Sequence, residues 1–188
     1  LLKADQKMIG ELKKSNELLS LIDLERGLEA SLHVTIDGVE TEVFIKGSAD
    51  RIDRRGNKVR IVDYKSSVKQ DDKFKFNGFE YLFTDRKYNK MLQLFIYAWL
   101  VVKNGIARPE ELQPCIIAFR KFEEQPKFIL QEDKAEGALH FTDELLTEFE
   151  FHLKKEIESI VNRKTLFDQT PDLKTCEYCA YAGICNVN

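Results

Sequence analysis

The sequence predicts an α/β fold: a mixed central sheet flanked by helices, with a group of carboxylates at one edge of the sheet. Three observations predict it. Residues 29–66 alternate apolar and polar side chains with a period of two, punctuated by Asp37-Gly38 and Arg55-Gly56-Asn57. Residues 85–103 and 142–163 carry apolar residues at helical spacing instead. A short apolar run, 114–121, adds a strand between those helices.

Residues 4–26 read as a first helix, with Met8, Leu12, Leu19 and Ile22 at helical spacing and Arg26-Gly27 as its stop. From Glu29 the period changes. Leu32, Val34 and Ile36 alternate with His33 and Thr35, and Val39, Thr41, Val43 and Ile45 continue after the Asp37-Gly38 turn. A third strand over 48–54 and a fourth over 58–66 complete an antiparallel meander. Residues 67–84 form a loop with some docked aromatics, long enough to count as functional or mobile. Asp85 caps the next helix and Asn104-Gly105 stops it. Residues 127–131 read as another strand. Thr142 caps the last helix, whose core stripe is Leu145, Phe149, Leu153, Ile157 and Ile160.

The 188 residues fit one domain, 1–188. It divides into an N-terminal helix (1–27), a core (28–163) and an irregular, cysteine-containing tail (164–188). Hydrophobic residues at 43% and charged residues at 32% are an ordinary globular balance and argue against disorder. No apolar run reaches the ~20 residues that a membrane span needs. Lys3, Asp5, Lys7, Glu11, Lys13 and Lys14 exclude a signal peptide at the start of the chain, and a cytoplasmic location is expected. The first residue is Leu, so a longer parent polypeptide is expected. A net charge of −3 excludes coating nucleic acid through bulk positive charge, but not a local basic cleft.

The most informative stretch is Gly47-Ser48-Ala49-Asp50-Arg51-Ile52-Asp53 followed by Ile61-Val62-Asp63-Tyr64-Lys65-Ser66. Side chains two apart on a strand share a face, so Asp63 and Lys65 project together while Tyr64 points away. The turn centred on Gly56 places position 50 opposite position 63. Two carboxylates and an ammonium therefore converge. Paired carboxylate oxygens suit Mg²⁺ or Mn²⁺, and the carbonyl of Tyr64 is a further candidate ligand. Lys65 is suited to orient or deprotonate an attacking water. The apolar residues Val59, Ile61 and Val62 put the charged pair at the end of a buried strand, where polar groups must be paired or functional.

These two segments, with Asp63 thirteen residues after Asp50, resemble the RecB-like branch of the PD-(D/E)XK nucleases. That branch includes the nuclease domains of RecBCD- and AddAB-type helicase–nucleases and the CRISPR-adaptation nucleases. Gln93-Leu94-Phe95-Ile96-Tyr97 matches its Gln-x-x-x-Tyr helix. The resemblance covers about 29–120 and 165–186. It implies a restriction-endonuclease-like core and a Mg²⁺- or Mn²⁺-dependent exodeoxyribonuclease of DNA repair or recombination. DNA would be its substrate and a helicase domain or subunit its partner. Asp50 and Asp63 would be metal ligands, Lys65 the catalytic lysine, and Gln93 and Tyr97 would buttress the site or touch DNA. Glu29 falls near a less constant acidic position. The family's metal-binding histidine matches none of His33, His140 and His152, so it is expected either upstream of residue 1 or not at all. That departure motivates the alternative, a non-catalytic module of the same fold that clamps DNA and docks a helicase.

Cys176, Cys179 and Cys185 have a metal-type spacing but fall short of four ligands, and zinc is one reading of them. They resemble the iron–sulfur staple of the same nucleases. That implies a [4Fe–4S] cluster in the intact protein, with a fourth cysteine upstream. Tyr178, Tyr181 and Ile184 are candidates to dock this tail on the core. Cys115, in an apolar run, reads as a small core residue. Two groups of basic residues are suited to phosphate contacts. Arg51, Arg54, Arg55, Lys58 and Arg60 surround a turn, and Lys69, Lys73, Lys75, Arg86, Lys87 and Lys90 flank the long loop. For Phe74, Phe76 and Phe79, core packing is favoured over base stacking. No base-reading motif is present, which argues against sequence-specific binding.

Overall fold

A single long hairpin dominates the computed structural model. Its strands are β1 (Leu19–Ile36) and β2 (Val39–Arg55). Asp37 and Gly38 take φ values of 50° and 85°, the left-handed pair that a tight two-residue turn requires. The structure describes residues 2–15, 17–119, 126–131, 137–162, 170, 173–177, 179–183 and 185. Lys121, Arg163, Tyr178 and Ile184, assigned above to a strand, a helix and the tail, lie outside the described residues. A second two-residue turn at Gly56-Asn57, with Gly56 at φ 57°, leads into β3 (Lys58–Lys65). β2 runs unbroken through Gly47, so the meander has three strands, not four.

Two expectations change here. The first helix, α1, spans only Leu2–Ser15, and the chain from Leu19 onward is strand. Leu19 and Leu21 pair with Arg55 and Asp53. This pairing satisfies backbone groups that would otherwise leave that end of β2 as an open edge. The register then shifts between Leu21 and Asp23, and the ladder omits Glu25, whose φ is 50°. An inserted residue breaks the alternation of period two. That is why 19–26 imitates helical spacing.

The second change is the position of the carboxylate strands. The sheet order is β1-β2-β3-β5-β6, with β5 at Leu112–Ala118 and β6 at Lys127–Phe128. β3, which carries Asp63, is thus the middle strand rather than an edge. β5 pairs with it in parallel, while the β1–β2, β2–β3 and β5–β6 pairs are antiparallel, so the sheet is mixed. β4 (Lys75–Phe76) and β7 (Leu130–Gln131) form a separate parallel pair.

The parallel connection from β3 to β5 passes through α2 (Phe79–Thr84) and α3 (Asn89–Lys103). Asp85 caps the 3₁₀ turn Arg86–Tyr88 that precedes α3, accepting from the Lys87 N–H at 2.9 Å. α3 is apolar nearly all round, with Met91, Leu94, Phe95, Ala98, Trp99 and Leu100 buried. This is the pattern of a helix enclosed between layers. It packs on Ile52, Val59 and Ile61 of the sheet. The last helix, α4 (Asp143–Val161), begins where Thr142 accepts from the Leu145 N–H, and lies against α3 and β1. Phe149 and Leu153 of the expected stripe are buried, and Leu146 joins them; Ile160 is exposed. Glu150 ties the two helices, accepting from Trp99 Nε1 at 2.9 Å and pairing with Lys103 at 2.9 Å. Phe76 and Phe79 pack against Phe95, so they belong to the core.

Ile52 and Ile61 face α3, so Asp53 and Arg60 project from the opposite face of the same strands. Asp53 is fully buried and Arg60 is 3% exposed. Arg60 Nε and Nη2 donate to the two Asp53 oxygens at 2.7 and 2.8 Å, and Arg51 Nε lies 2.6 Å from Oδ2. The pairing Asp53↔Arg60 makes this fork possible and locks the β2–β3 register. Removing the acid would leave two arginines around an empty position. Asp53→Ala is expected to cost about 3–5 kcal/mol, read as a lower urea midpoint of unfolding.

Candidate active site

The two-residue turn at Gly56 sets the register Arg51↔Val62, which continues to place Asp50 beside Asp63. Asp50 Oδ2 accepts the backbone N–H of Tyr64 at 2.7 Å. The second carboxylate, Asp63, is only 3% exposed although it lies on a strand end. Lys65, two residues on and on the same face, donates to its Oδ1 at 3.1 Å and lies 2.8 Å from Oδ2. The ring of Tyr64 leaves by the other face, where it stacks on Phe119 with centroids 5.4 Å apart and its hydroxyl accepts from Arg51 at 3.4 Å.

Gln93 and Tyr97 stand one helical turn apart on α3, and Gln93 Nε2 donates to the Tyr97 hydroxyl at 2.8 Å. Gly47 makes room for Tyr97. A Cβ there would lie 3.0 Å from Tyr97 Cε1 and 3.2 Å from Leu100 Cδ1. The first glycine of the Gly-x-x-Asp segment is thus a seat for Tyr97, a role that spacing alone does not reveal.

Electrostatics tie the five residues together. Burial pushes the Asp63 carboxyl above its ordinary value; the hydrogen bond and charge of Lys65 oppose this, and the Asp50 charge adds to it. Burial also raises the Tyr97 hydroxyl, against the hydrogen bond from Gln93, and the charges of Asp63, Lys65 and Asp50 all reach it. Despite the neighbouring ammonium, Asp63 Oδ2 is buried and has no partner in hydrogen-bond geometry. Such an oxygen, beside a second carboxylate, is a donor suited to a hard divalent cation. Among the described residues, no His, Cys, Asp or Glu joins the two as a third side-chain ligand.

A family model for the PD-(D/E)XK nuclease superfamily matches residues 4–186. The chain belongs to that superfamily. PD-(D/E)XK proteins are metal-dependent nucleases that generally hydrolyse phosphodiester bonds, typically with Mg²⁺ or another divalent metal, and DNA is the substrate class that the fold suggests. No curated protein matches the chain. It is similar to a solved structure described as the crystal structure of SSO0001. That match has 21% identity and a TM-score of 0.43, covering 97% of this chain and 66% of the other. This chain therefore spans just under two thirds of that one. Among the described residues, no helix is long and apolar enough to cross a membrane.

Other candidates stand apart from the Asp50 and Asp63 carboxylates. Glu29 sits on the opposite, exposed face of the hairpin, paired with Lys46 at 2.5 Å. His33 lies 3.7 Å from Glu40, and His152 stacks on Phe79. Cys176 and Cys179 share one turn, the Cys179 N–H donating to the Cys176 carbonyl at 3.1 Å. Cys185 is exposed, and among the described residues the three cysteines form no metal-holding group. Cys115 is buried, as a core residue should be, and burial pushes its thiol up to about 12.

The turn arginines are a clearer correction. Arg51 and Arg60 are consumed by Asp53, Arg54 pairs with Glu111 at 2.7 Å and Arg55 with Glu17 at 2.8 Å. Lys58 donates to the Glu110 carbonyl at 2.7 Å. Charge counting missed this because acidic partners distant in sequence are brought in by the fold.

The raised Asp63 carboxyl carries a stability consequence. The folded state holds that proton more tightly than the unfolded chain, so stability falls as pH rises from the ordinary value of 3.8 through the raised one. Asp63→Asn keeps the shape and removes the charge. In metal-free buffer at pH 7 it is expected to melt at a higher temperature than wild type. The difference should fade as pH drops to about 4, and calorimetry at several pH values checks it.

Proposed function

We propose that this chain is a Mg²⁺- or Mn²⁺-dependent deoxyribonuclease of the RecB-like branch. In this reading it acts as an exonuclease in DNA repair or recombination beside a helicase domain or subunit. The observation that carries the reading is the buried Asp63 oxygen without a hydrogen bond, in the field of Asp50 and 2.8 Å from Lys65 Nζ. A plain surface ion pair would not bury one carboxylate next to another.

Asp50 and Asp63 are the side chains that would hold the cation. Main-chain N–H and C=O of one strand residue leave by the same edge. The Tyr64 N–H reaches Asp50, so the Tyr64 carbonyl leaves by that edge and would be the backbone ligand. A bound divalent ion supplies a lowered water pKa and neutralises charge on a phosphoryl oxygen. Lys65, an ammonium on the same face as Asp63, donates to the attacking water and orients it, and the proton of that water leaves to solvent. Tyr97, seated on Gly47 and bonded to Gln93, buttresses the site or touches the DNA. Attack forms the new P–O bond as the bond to the leaving oxygen breaks.

A second reading, a module of the same fold that clamps DNA without cutting it, is favoured by the count of only two acidic ligands among the described residues. One assay separates the two. Linear DNA incubated with the chain and Mg²⁺ or Mn²⁺ is expected to be degraded. Asp63→Ala should abolish cleavage, and Lys65→Ala should slow it by about 10²- to 10⁴-fold. Binding without cleavage by the wild-type chain in either metal favours the clamp.

A further inference from the structure

The loop after β3 and the start of α3 line a cavity of about 200 Å³. Its lining is Lys69, Asp71, Asp72, Arg86, Lys87, Asn89 and Lys90. Two turns build its walls. Asp72 closes the first, accepting the Lys69 N–H at 2.6 Å while its own N–H donates to the Lys69 carbonyl at 3.3 Å. The second is the 3₁₀ turn capped by Asp85, and the Lys73 N–H clamps the loop onto it by donating to the Lys87 carbonyl at 2.9 Å.

Charge within the cavity is unbalanced. Of its four cations Arg86 is already engaged, and Lys90 Nζ lies 2.7 Å from Asp72 in a largely desolvated pair, which leaves Lys69 and Lys87 facing the Asp71 carboxylate. Lys69 and Lys87 are exposed and take no part in an ion pair among the described residues. Lys90 also links the cavity to the cleft. Its charge reaches Asp63, and it precedes Gln93 by three positions on α3. Residues three and four apart share a helix side, so Lys90, Gln93 and Tyr97 form one track from the cavity to the carboxylates.

We propose that this cavity is a phosphate subsite, holding a phosphate of the same DNA strand whose neighbouring phosphate lies at Asp50 and Asp63. It rests on the nuclease reading for the identity of the strand. Lys69 and Lys87 supply the charge, and Lys90, held by Asp72, fixes the spacing between the subsite and the cleft. Lysine suits this task as a mobile point charge for a phosphate oxygen. The same phosphate chemistry has two sources, an internal diester or a 5′-terminal monoester.

The test is binding of a single-stranded oligonucleotide to the full chain in EDTA, where no cleavage interferes. It compares wild type with Lys69→Ala/Lys87→Ala across a range of salt, using 5′-phosphorylated and 5′-hydroxyl strands. Lys46→Ala/Lys58→Ala, which removes the same charge elsewhere, is the control. The cavity variant is expected to bind about tenfold more weakly, with a log–log salt slope shallower by ~0.7 per lost phosphate contact. Loss with both strands assigns an internal diester, and loss with the phosphorylated strand alone assigns a terminal phosphate. Unchanged affinity and slope, equal loss in the control, or no binding by wild type overturns the subsite. If the wild type binds and the cavity variant weakens as stated, but neither cuts DNA with Mg²⁺ or Mn²⁺, the nuclease reading falls and the subsite stands. If the variant binds like wild type and DNA is cut, the reverse holds.

Discussion

A carboxylate buried beside another carboxylate is the constraint around which the rest of this protein is arranged. Asp63 is almost fully enclosed, it sits in the field of Asp50, and two lysines, Lys65 and Lys90, offset only part of the cost. A structure selected only for stability would place an apolar or neutral residue there. Keeping the charge means that the surrounding chain must hold it in place. β3 runs through the middle of the sheet, paired with β5 along one edge and with β2 as far as Val62 on the other, and α3 covers it.

The opposite face of the same two strands supplies the matching restraint. Asp53 and Arg60, directly opposed across β2 and β3, form a buried fork, and Arg51 closes on it. Slipping the register by one residue would unpair that fork and turn Asp63 away from α3 in the same step. The segment Asp50-Arg51-Ile52-Asp53 therefore alternates between two tasks. Asp50 and Ile52 serve the cleft and core side, while Arg51 and Asp53 fasten the strand from behind. The buried ion group and the geometry of the two carboxylates are thus coupled through strand register, not through contact.

Much of this was legible in the sequence because the relevant signals are local. Asp-Gly and Gly-Asn turns set both hairpin registers, and the period of two then assigned Asp63, Lys65 and Tyr64 to faces correctly. Gln93 and Tyr97 stood out only through the resemblance to a Gln-x-x-x-Tyr helix; helical spacing added that the two share a side. The failures share a cause, which is dependence on partners distant in the chain. Residues 19–26 imitate a helix because a bulge at Ile22 breaks the alternation, and only pairing with β2 reveals the strand. Arg54 and Arg55 looked available for phosphate until Glu111 and Glu17 arrived from other elements. The parallel entry of β5 beside β3, which moves the carboxylates from a sheet edge to its centre, also rests on long-range pairing. Gly47 escaped notice because its role is an absence, the missing Cβ that Tyr97 would strike.

The central claim is that Asp50 and Asp63 together hold one divalent cation. Calorimetric titration of Mn²⁺ into the full chain tests it without reference to any substrate. The account predicts a site that takes one ion per chain and is lost in both Asp50→Asn and Asp63→Asn. Retention of that site by either variant would contradict it.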